Sequence, residues 1–255
     1  MTSDAQIISF NFDVASRTDQ GKVRKFNEDS IFASSELGIW LVADGMGGHN
    51  DGNVASTMIA EAVQSLHQEH DLKDIDESFR QQVQAVNTRL LGISNGDTAL
   101  LVGSTVVALL IEGTTFSCIW AGDSRCYLVR DGLISQVSHD HTEVQDLLDQ
   151  GAITLSEAAS WPRRNVITRA VGADYDLQLE SVSGFVEHND CFVLCSDGLT
   201  GHVNDQEILA SVSWSKSQDA CDRLVGLALE RGGKDNVSVV VVQVSRRDHT
   251  TIVKR

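Results

Sequence analysis

The sequence predicts an α+β fold in which strands and helix pairs form separate layers. Three observations carry this. Apolar, strand-like runs come in groups, within 7–43, 104–137 and 177–195, with a last run at 237–244. Two amphipathic helical patterns stand together after the first group, and two more stand together before the last run. No Pro- or Ser-rich linker and no internal repeat divides the chain. Strands and helices segregated in this way mark α+β layering and not alternating βαβ units.

The elements follow in order. Ile8, Phe10, Phe12 and Val14 alternate with polar neighbours, so 7–16 is a half-buried strand. Arg17–Gly21 reads as a turn. Ile31-Phe32-Ala33 and Ile39–Ala43 read as strands, and Asp44-Gly45-Met46-Gly47-Gly48-His49 as the turn where the second one ends. Val54, Met58, Ile59, Ala62, Val63 and Leu66 recur at helical spacing from Asn53 to about His70. Phe79, Val83, Val86, Leu90 and Leu91 do so from Ile75 to Ile93, and Asn95-Gly96-Asp97 ends that helix.

Ser104–Ile111, Thr115–Ala121, Cys126–Arg130 and Leu133–Val137 are short and separated by glycine turns, an antiparallel meander. Residues 139–175 are irregular, with a short helix near Val144–Asp149, a second near Glu157, and the only proline, Pro162. Leu177–Val186 and Cys191–Cys195 are strands, Glu207–Val212 and Asp219–Arg231 helices, and Val237–Val244 a β-branched central strand.

Composition sets further bounds. The 255 residues suffice for a sizeable core. Lys and Arg number 20 against 36 Asp and Glu, a formal charge of −16. That excludes the basic footprint of a nucleic-acid binder and suits carboxylate-built metal sites. The cysteines, Cys118, Cys126, Cys191, Cys195 and Cys221, are odd in number and form no Cys-x-x-Cys, which points to a reducing compartment. The N-terminus lacks a signal-peptide pattern and no apolar run is long enough to span a membrane. A cytoplasmic protein without membrane or nucleic-acid partners is expected, with a monomer as the default.

Acidic residues recur beside strand ends. Asp44 follows Trp40–Ala43, Asp123 follows Cys118–Gly122, Asp197 follows Phe192–Ser196, and Asp235 precedes the 237–244 strand. Glu28 and Asp29 precede Ile31, though spacing alone assigns Asp29 no ligand role. A turn or cap accounts for any one of these acids. Together, gathered at one edge of packed sheets, they would repel one another and call for a divalent cation. Oxygen-only donors favour Mg²⁺ or Mn²⁺. Zinc through His139 and His141 is the alternative, but no third His or Cys stands near them. Arg24, four residues before Glu28, could grip a phosphate bidentately.

These segments resemble a known family. Thr18–Ser30, Ala43–His49, Gly103-Ser104-Thr105, Ala121–Arg125, Asn165–Ala170, Cys195–Thr200 and Gly233–Asn236 run in the order found in metal-dependent serine/threonine protein phosphatases of the protein phosphatase 2C type, in their compact bacterial form. The resemblance implies a central antiparallel β-sandwich flanked by a helix pair on each side. It implies one catalytic domain over 1–245 with a flap at about 139–175; the basic C-terminal tail at 246–255 reads from its own residues as a solvated end. It implies two Mn²⁺ or Mg²⁺ ions: Asp44 bridging them, Asp197 and Asp235 holding the first, Glu28 and the Gly45 carbonyl the second. A third, weaker site would fall at Asp123 and Asp197, and Arg24 would bind the substrate phosphate.

The implied reaction is hydrolysis of phosphoserine and phosphothreonine in proteins by a metal-activated water, opposing a Ser/Thr kinase of the same cell. A binding module of the same fold and a broad phosphoester hydrolase are the competing readings. The first should have lost a core acid, and none is missing. Two departures stand out. Met46 occupies the position where many animal relatives carry a histidine, which leaves the proton donor unassigned, with His141, His49 and a metal-bound water as candidates. Trp161 stands before Pro162, where bacterial relatives often have His.

Overall fold

The runs at 39–43, 106–111, 191–195 and 239–242 are apolar at every position. A strand tolerates that only when both of its faces are covered. The computed structural model, which describes residues 9–47, 51–68, 74–94 and 102–247, shows both covers. The strands are β1 Phe10–Asp19, β2 Asp29–Ser34, β3 Ile39–Met46, β4 Gly103–Ser104, β5 Val106–Glu112, β6 Thr115–Ala121, β7 Arg125–Arg130, β8 Leu133–Gln136, β9 Glu180–Phe185, β10 Cys191–Cys195 and β11 Val237–Arg246. The helices are α1 Asp51–Gln64, α2 Ile75–Ser94, α3 Glu143–Asp149, α4 Leu155–Ala159, α5 Asp197–Thr200, α6 Asp205–Val212 and α7 Ser217–Glu230. A 3-10 turn at Ser65–Gln68 follows α1.

Two antiparallel sheets face each other. One has the order β1-β11-β10-β7-β8, the other β2-β3-β5-β6-β9 with β4 on the end of β3. Between them lies a core containing Trp40, Val42, Leu109, Phe192, Leu194, Val240 and Val242. Phe116 and Phe192 meet edge to face at 5.0 Å there, a favoured aromatic geometry. The alternate residues Ile39, Leu41, Leu110 and Ile119 face outward onto Ile59, Val63, Phe79 and Val83 of α1 and α2. Tyr127, Val193, Val239 and Val241 face the other way, onto Ile208, Leu224 and Val225 of α6 and α7. The period of two along each strand thus feeds two cores at once. The architecture is α-β-β-α, the helix-flanked sandwich that the resemblance implied.

The elements differ from their sequence reading mainly at the ends. β1 runs on to Asp19, since Arg17, Thr18 and Asp19 pair with Val239, Ser238 and Val237. The expected turn at 17–21 therefore begins later. β3 continues through Asp44 to Met46, because Gly45 and Met46 pair with Ser104 and Gly103. The expected strand at Ser104–Ile111 is broken at Thr105, whose amide turns to the Asp44 carbonyl, 2.8 Å away. β9 starts at Glu180, not Leu177. The single-turn α5 was not foreseen; four residues carry no periodic signal. The 95–97 helix stop, His49 and the last eight residues of the tail lie outside the described residues.

The 139–175 stretch folds as a small appendage. Thr142 caps α3 by accepting from the Gln145 amide. Thr154 and Glu157 form a capping box on α4. The isolated bridge Thr142–Ile167 closes it on itself, and Ser104–Val171 ties it back to the body. All five cysteines are buried and free, as small apolar core residues are. Among the described residues no helix is long and apolar enough to cross a membrane.

Candidate active site

Antiparallel pairing decides where the acids fall. The ends of β1 and β10 and the starts of β7 and β11 share one rim of their sheet. The starts of β2, β5 and β9 and the ends of β3 and β6 share one rim of the other. Glu28 enters β2, and Asp29 lies directly across from Asp44 in the β2–β3 register. Asp123 follows β6, Asp197 opens α5 just beyond β10, and Asp235 leads into β11. Charge coupling links Asp44 to Asp29, Asp197, Asp123 and Asp235, so the rims bring these five acids together.

Burial and mutual repulsion then act on them. Asp44 is held well above the usual carboxylate range, first by burial and then by the neighbouring acids. Burial also lifts Asp123 to about 7, with Asp197 and Asp140 adding to it. Asp29 rises to about 6 for the same first reason, opposed by hydroxyl hydrogen bonds. Asp197 is raised by burial and by Asp235, and lies within hydrogen-bonding reach of Asp44. Three buried acceptors in the cluster, Glu28 Oε1, Asp29 Oδ1 and Asp197 Oδ1, have no hydrogen-bond partner. Orphaned buried oxygens are costly.

These residues fit a hard divalent cation. The donors are all oxygen, and the orphaned oxygens and like charges would both be relieved by it. Among the described residues no three His, Cys, Asp or Glu side chains already form a cage around one point. Mg²⁺ and Mn²⁺ take oxygen donors, and Mg²⁺ keeps water among its ligands, so both suit this donor chemistry.

Backbone approach explains the glycines. A Cβ on Gly45 would fall 2.2 Å from the Gly52 carbonyl oxygen and 2.5 Å from that of Glu28. The Gly45 amide donates to Glu28 O at 3.1 Å. Gly198 is pressed against the Asn236 carbonyl, 1.8 Å from where its Cβ would stand. Hydroxyls fix the acids: Ser104 Oγ donates to the Asp44 carbonyl (2.9 Å), and Thr105 Oγ1 accepts from the Asp44 amide (3.1 Å). Ser196 Oγ donates to Asp29 Oδ2 at 2.9 Å.

Arg24 stands at the mouth, half exposed, with Nη2 2.7 Å from Asp235 Oδ2. His141 is placed differently from its sequence-based candidacy as a proton donor. It is 6% exposed and stacked on Trp120. Its Nδ1 accepts from the Gly122 amide at 3.1 Å, which in the neutral ring leaves the proton to Nε2, 3.2 Å from both Glu180 Oε1 and Arg169 Nη1. Arg169 binds the same Glu180 oxygen at 2.9 Å. Burial, then Arg169, lowers the His141 pKa. Both ring nitrogens are thus spoken for. His139 Nε2 lies 2.7 Å from Asp149 Oδ2, and among the described residues no third His or Cys joins His139 and His141 as a zinc site would need. Met46 lies alongside Gly103 and offers no proton. Asp29 is the acid that sequence spacing undervalued; the symmetric 29–34/39–44 hairpin register was the signal for it.

The sequence profile described as Protein phosphatase 2C matches residues 17–146. The chain belongs to the protein phosphatase 2C family. Within that family it is similar to serine/threonine protein phosphatase PstP of Mycobacterium tuberculosis, 37% identical over 236 residues. The match covers 92% of this chain and 45% of the mycobacterial protein, so the chain spans about half the length of that relative. Serine/threonine phosphatase stp of Listeria monocytogenes is 31% identical, covering 89% of this chain and 94% of that one. Among solved structures, PppA of Pseudomonas aeruginosa superposes with a TM-score of 0.85 at 37% identity, over 93% of this chain and 99% of PppA. The catalytic domain of PstP in complex with two manganese ions superposes with a TM-score of 0.84 at 35% identity, over 93% of this chain and 100% of that one.

Proposed function

We propose that this protein phosphatase 2C member hydrolyses phosphoserine and phosphothreonine in proteins, with two Mn²⁺ or Mg²⁺ ions as cofactors. The observation that carries the reading is the set of orphaned buried carboxylate oxygens at the double rim, with Arg24 beside it. When bound, such ions neutralise phosphate charge and acidify water near neutral pH. Asp44 would be a ligand shared by both ions, Asp197 and Asp235 would hold one, and Glu28 with the Gly45 carbonyl would hold the other. Asp123 and Asp197 are assigned to a third, weaker position. One catalytic domain over 1–245, with the 139–175 appendage as its flap, is the unit that acts.

Arg24 supplies a planar fork for two phosphate oxygens and stabilises the charge that builds on them during displacement. Its present partner, Asp235, shows that the guanidinium can reach the acids. A substrate phosphate would take the guanidinium over from Asp235. The leaving seryl or threonyl oxygen is assigned a proton from solvent, since His141 is engaged at both ring nitrogens and Met46 has none to give; His49, outside the described residues, is the other candidate. The substrates are phosphoproteins made by a Ser/Thr kinase.

The test is hydrolysis of a phosphothreonine peptide with Mn²⁺, with and without chelator. Turnover should vanish on full chelation; turnover that survives would sink the mechanism. The role of His141 has its own check. His141→Ala should lower kcat by the same factor for a phosphopeptide and for nitrophenyl phosphate, since it loosens Gly122 without removing an acid. A loss confined to the poorer leaving group would reinstate His141 as proton donor.

A further inference from the structure

Residues 20–28 carry Arg24 and Glu28 yet belong to no strand or helix. They also lack an apolar anchor: Val23 and Phe26 are 65% and 58% exposed. With no side-chain burial to hold it, such a segment opens easily unless hydrogen bonds fix it. Those bonds converge on one buried amide.

Asn236 is 5% exposed. Its Oδ1 accepts from the Glu28 amide at 2.9 Å. Its Nδ2 donates to the Gln20 carbonyl at 2.8 Å and to the Phe26 carbonyl at 2.9 Å. Its own backbone amide donates to Asp235 Oδ1 at 2.9 Å. One side chain therefore uses both donors and its acceptor on three backbone groups of the segment. Gln20 carries the strap onward, donating from Nε2 to the Arg24 carbonyl at 2.8 Å. The Lys22 amide donates to Gly233 O at 2.7 Å, on the same side of Asp235.

We propose that Asn236 is the positioning residue that sets Arg24 and Glu28 at a fixed distance from Asp235. It reaches three backbone groups of a segment that has no apolar anchor and otherwise rests on single bonds, from Lys22 to Gly233 and from Gly45 and Ser56 to Glu28, and it does so from the residue next to another metal ligand. The proposal rests on the reading of this site as a phosphatase centre. No close substitute does the work. Aspartate keeps the acceptor for Glu28 but turns a carboxylate on two carbonyl oxygens. Alanine releases all three backbone groups.

The test compares Asn236→Ala and Gln20→Ala with the parent chain by calorimetric titration of Mn²⁺, phosphothreonine-peptide kinetics and thermal unfolding. Asn236→Ala should weaken Mn²⁺ binding by about 10- to 100-fold, as loss of a group supporting metal ligands does, and raise KM with it. Gln20→Ala frees only the Arg24 carbonyl. It should raise KM by about 3- to 10-fold, the worth of one hydrogen bond, with Mn²⁺ affinity unchanged. Asn236→Asp should not restore the parent values.

A folded Asn236→Ala chain that binds Mn²⁺ and peptide like the parent overturns the proposal. So does a defect that disappears when the assay is cooled by the difference in Tm. Should Asn236→Ala fail to fold, Gln20→Ala decides, because its side chain is exposed: an unchanged KM refutes the strap. A parent that neither binds Mn²⁺ nor hydrolyses the peptide brings down the reading of the site itself. A competent parent with indifferent variants brings down the positioning role alone.

Discussion

Replacing Asp197 by Asn is expected to lower kcat on the order of 10³-fold, the scale set by removal of one preorganised charged group at a reacting centre. The fold should survive. Asn is isosteric, its amide can donate toward Asp44, and the change removes one of several like charges buried together. Without metal, Tm should therefore hold or rise by about 2–4 °C per kcal/mol of repulsion relieved. With Mn²⁺, the variant should gain less Tm than the parent. Lost activity with retained or improved stability is the signature of a ligand, whereas a packing residue would lose both. A variant with parental kcat would remove Asp197 from the metal set.

The second expected result is that, in chelator, the protein becomes less stable between pH 5 and pH 8. Asp29 titrates at about 6 and Asp123 at about 7 in the folded chain, and Asp44 and Asp197 are raised too. Unfolded aspartates titrate near 4. Over the interval between, the folded state binds more protons than the unfolded one, so stability must fall as pH rises. The contribution is complete below about pH 4 and gone above the folded values near 6 to 7. A fall in Tm of about 5 °C or more is expected for a chain this long. Mn²⁺ takes the place of the protons, so the Tm gain on adding it should grow over the same window. Thermal melts in chelator and in Mn²⁺ at four pH values check this. A metal-free Tm that is flat or climbs from pH 5 to 8 would contradict the buried-acid account.

Much of this was legible in the sequence because the strands announce themselves twice. Trp40, Val42, Phe192 and Val240 face the other sheet, and Leu41, Val193 and Val241 face helices. Continuous apolar runs therefore read correctly as fully covered strands. The acids next to them, Asp44, Asp123, Asp197 and Asp235, could be grouped because each abuts such a run. What failed was local. Gly45-Met46 reads as turn, yet β4, only two residues long, keeps it in the sheet. Asp29 has no glycine neighbour to mark it, and its burial depends on facing Asp44 across a hairpin. The engagement of His141 with Gly122 and Glu180 joins residues far apart in the chain. No spacing rule could have supplied it.

The two rims have a mechanical consequence. Asp44 lies on one sheet and Asp197 and Asp235 flank strands of the other, while Glu28, just before β2, is bonded through its amide to Asn236 of the second half. The sheets share no hydrogen-bonded strand pair among the described residues; they meet through side chains such as Trp40, Phe116 and Phe192. The gap between Asp44 and the Asp197–Asp235 pair is thus a gauge reading of how the sandwich is stacked. The bulk of a tryptophan or phenylalanine in the middle layer calibrates the jaw opening that an ion must span. Interiors packed this closely pass on small changes of thickness, so the choice of cation is written partly in residues that never touch it.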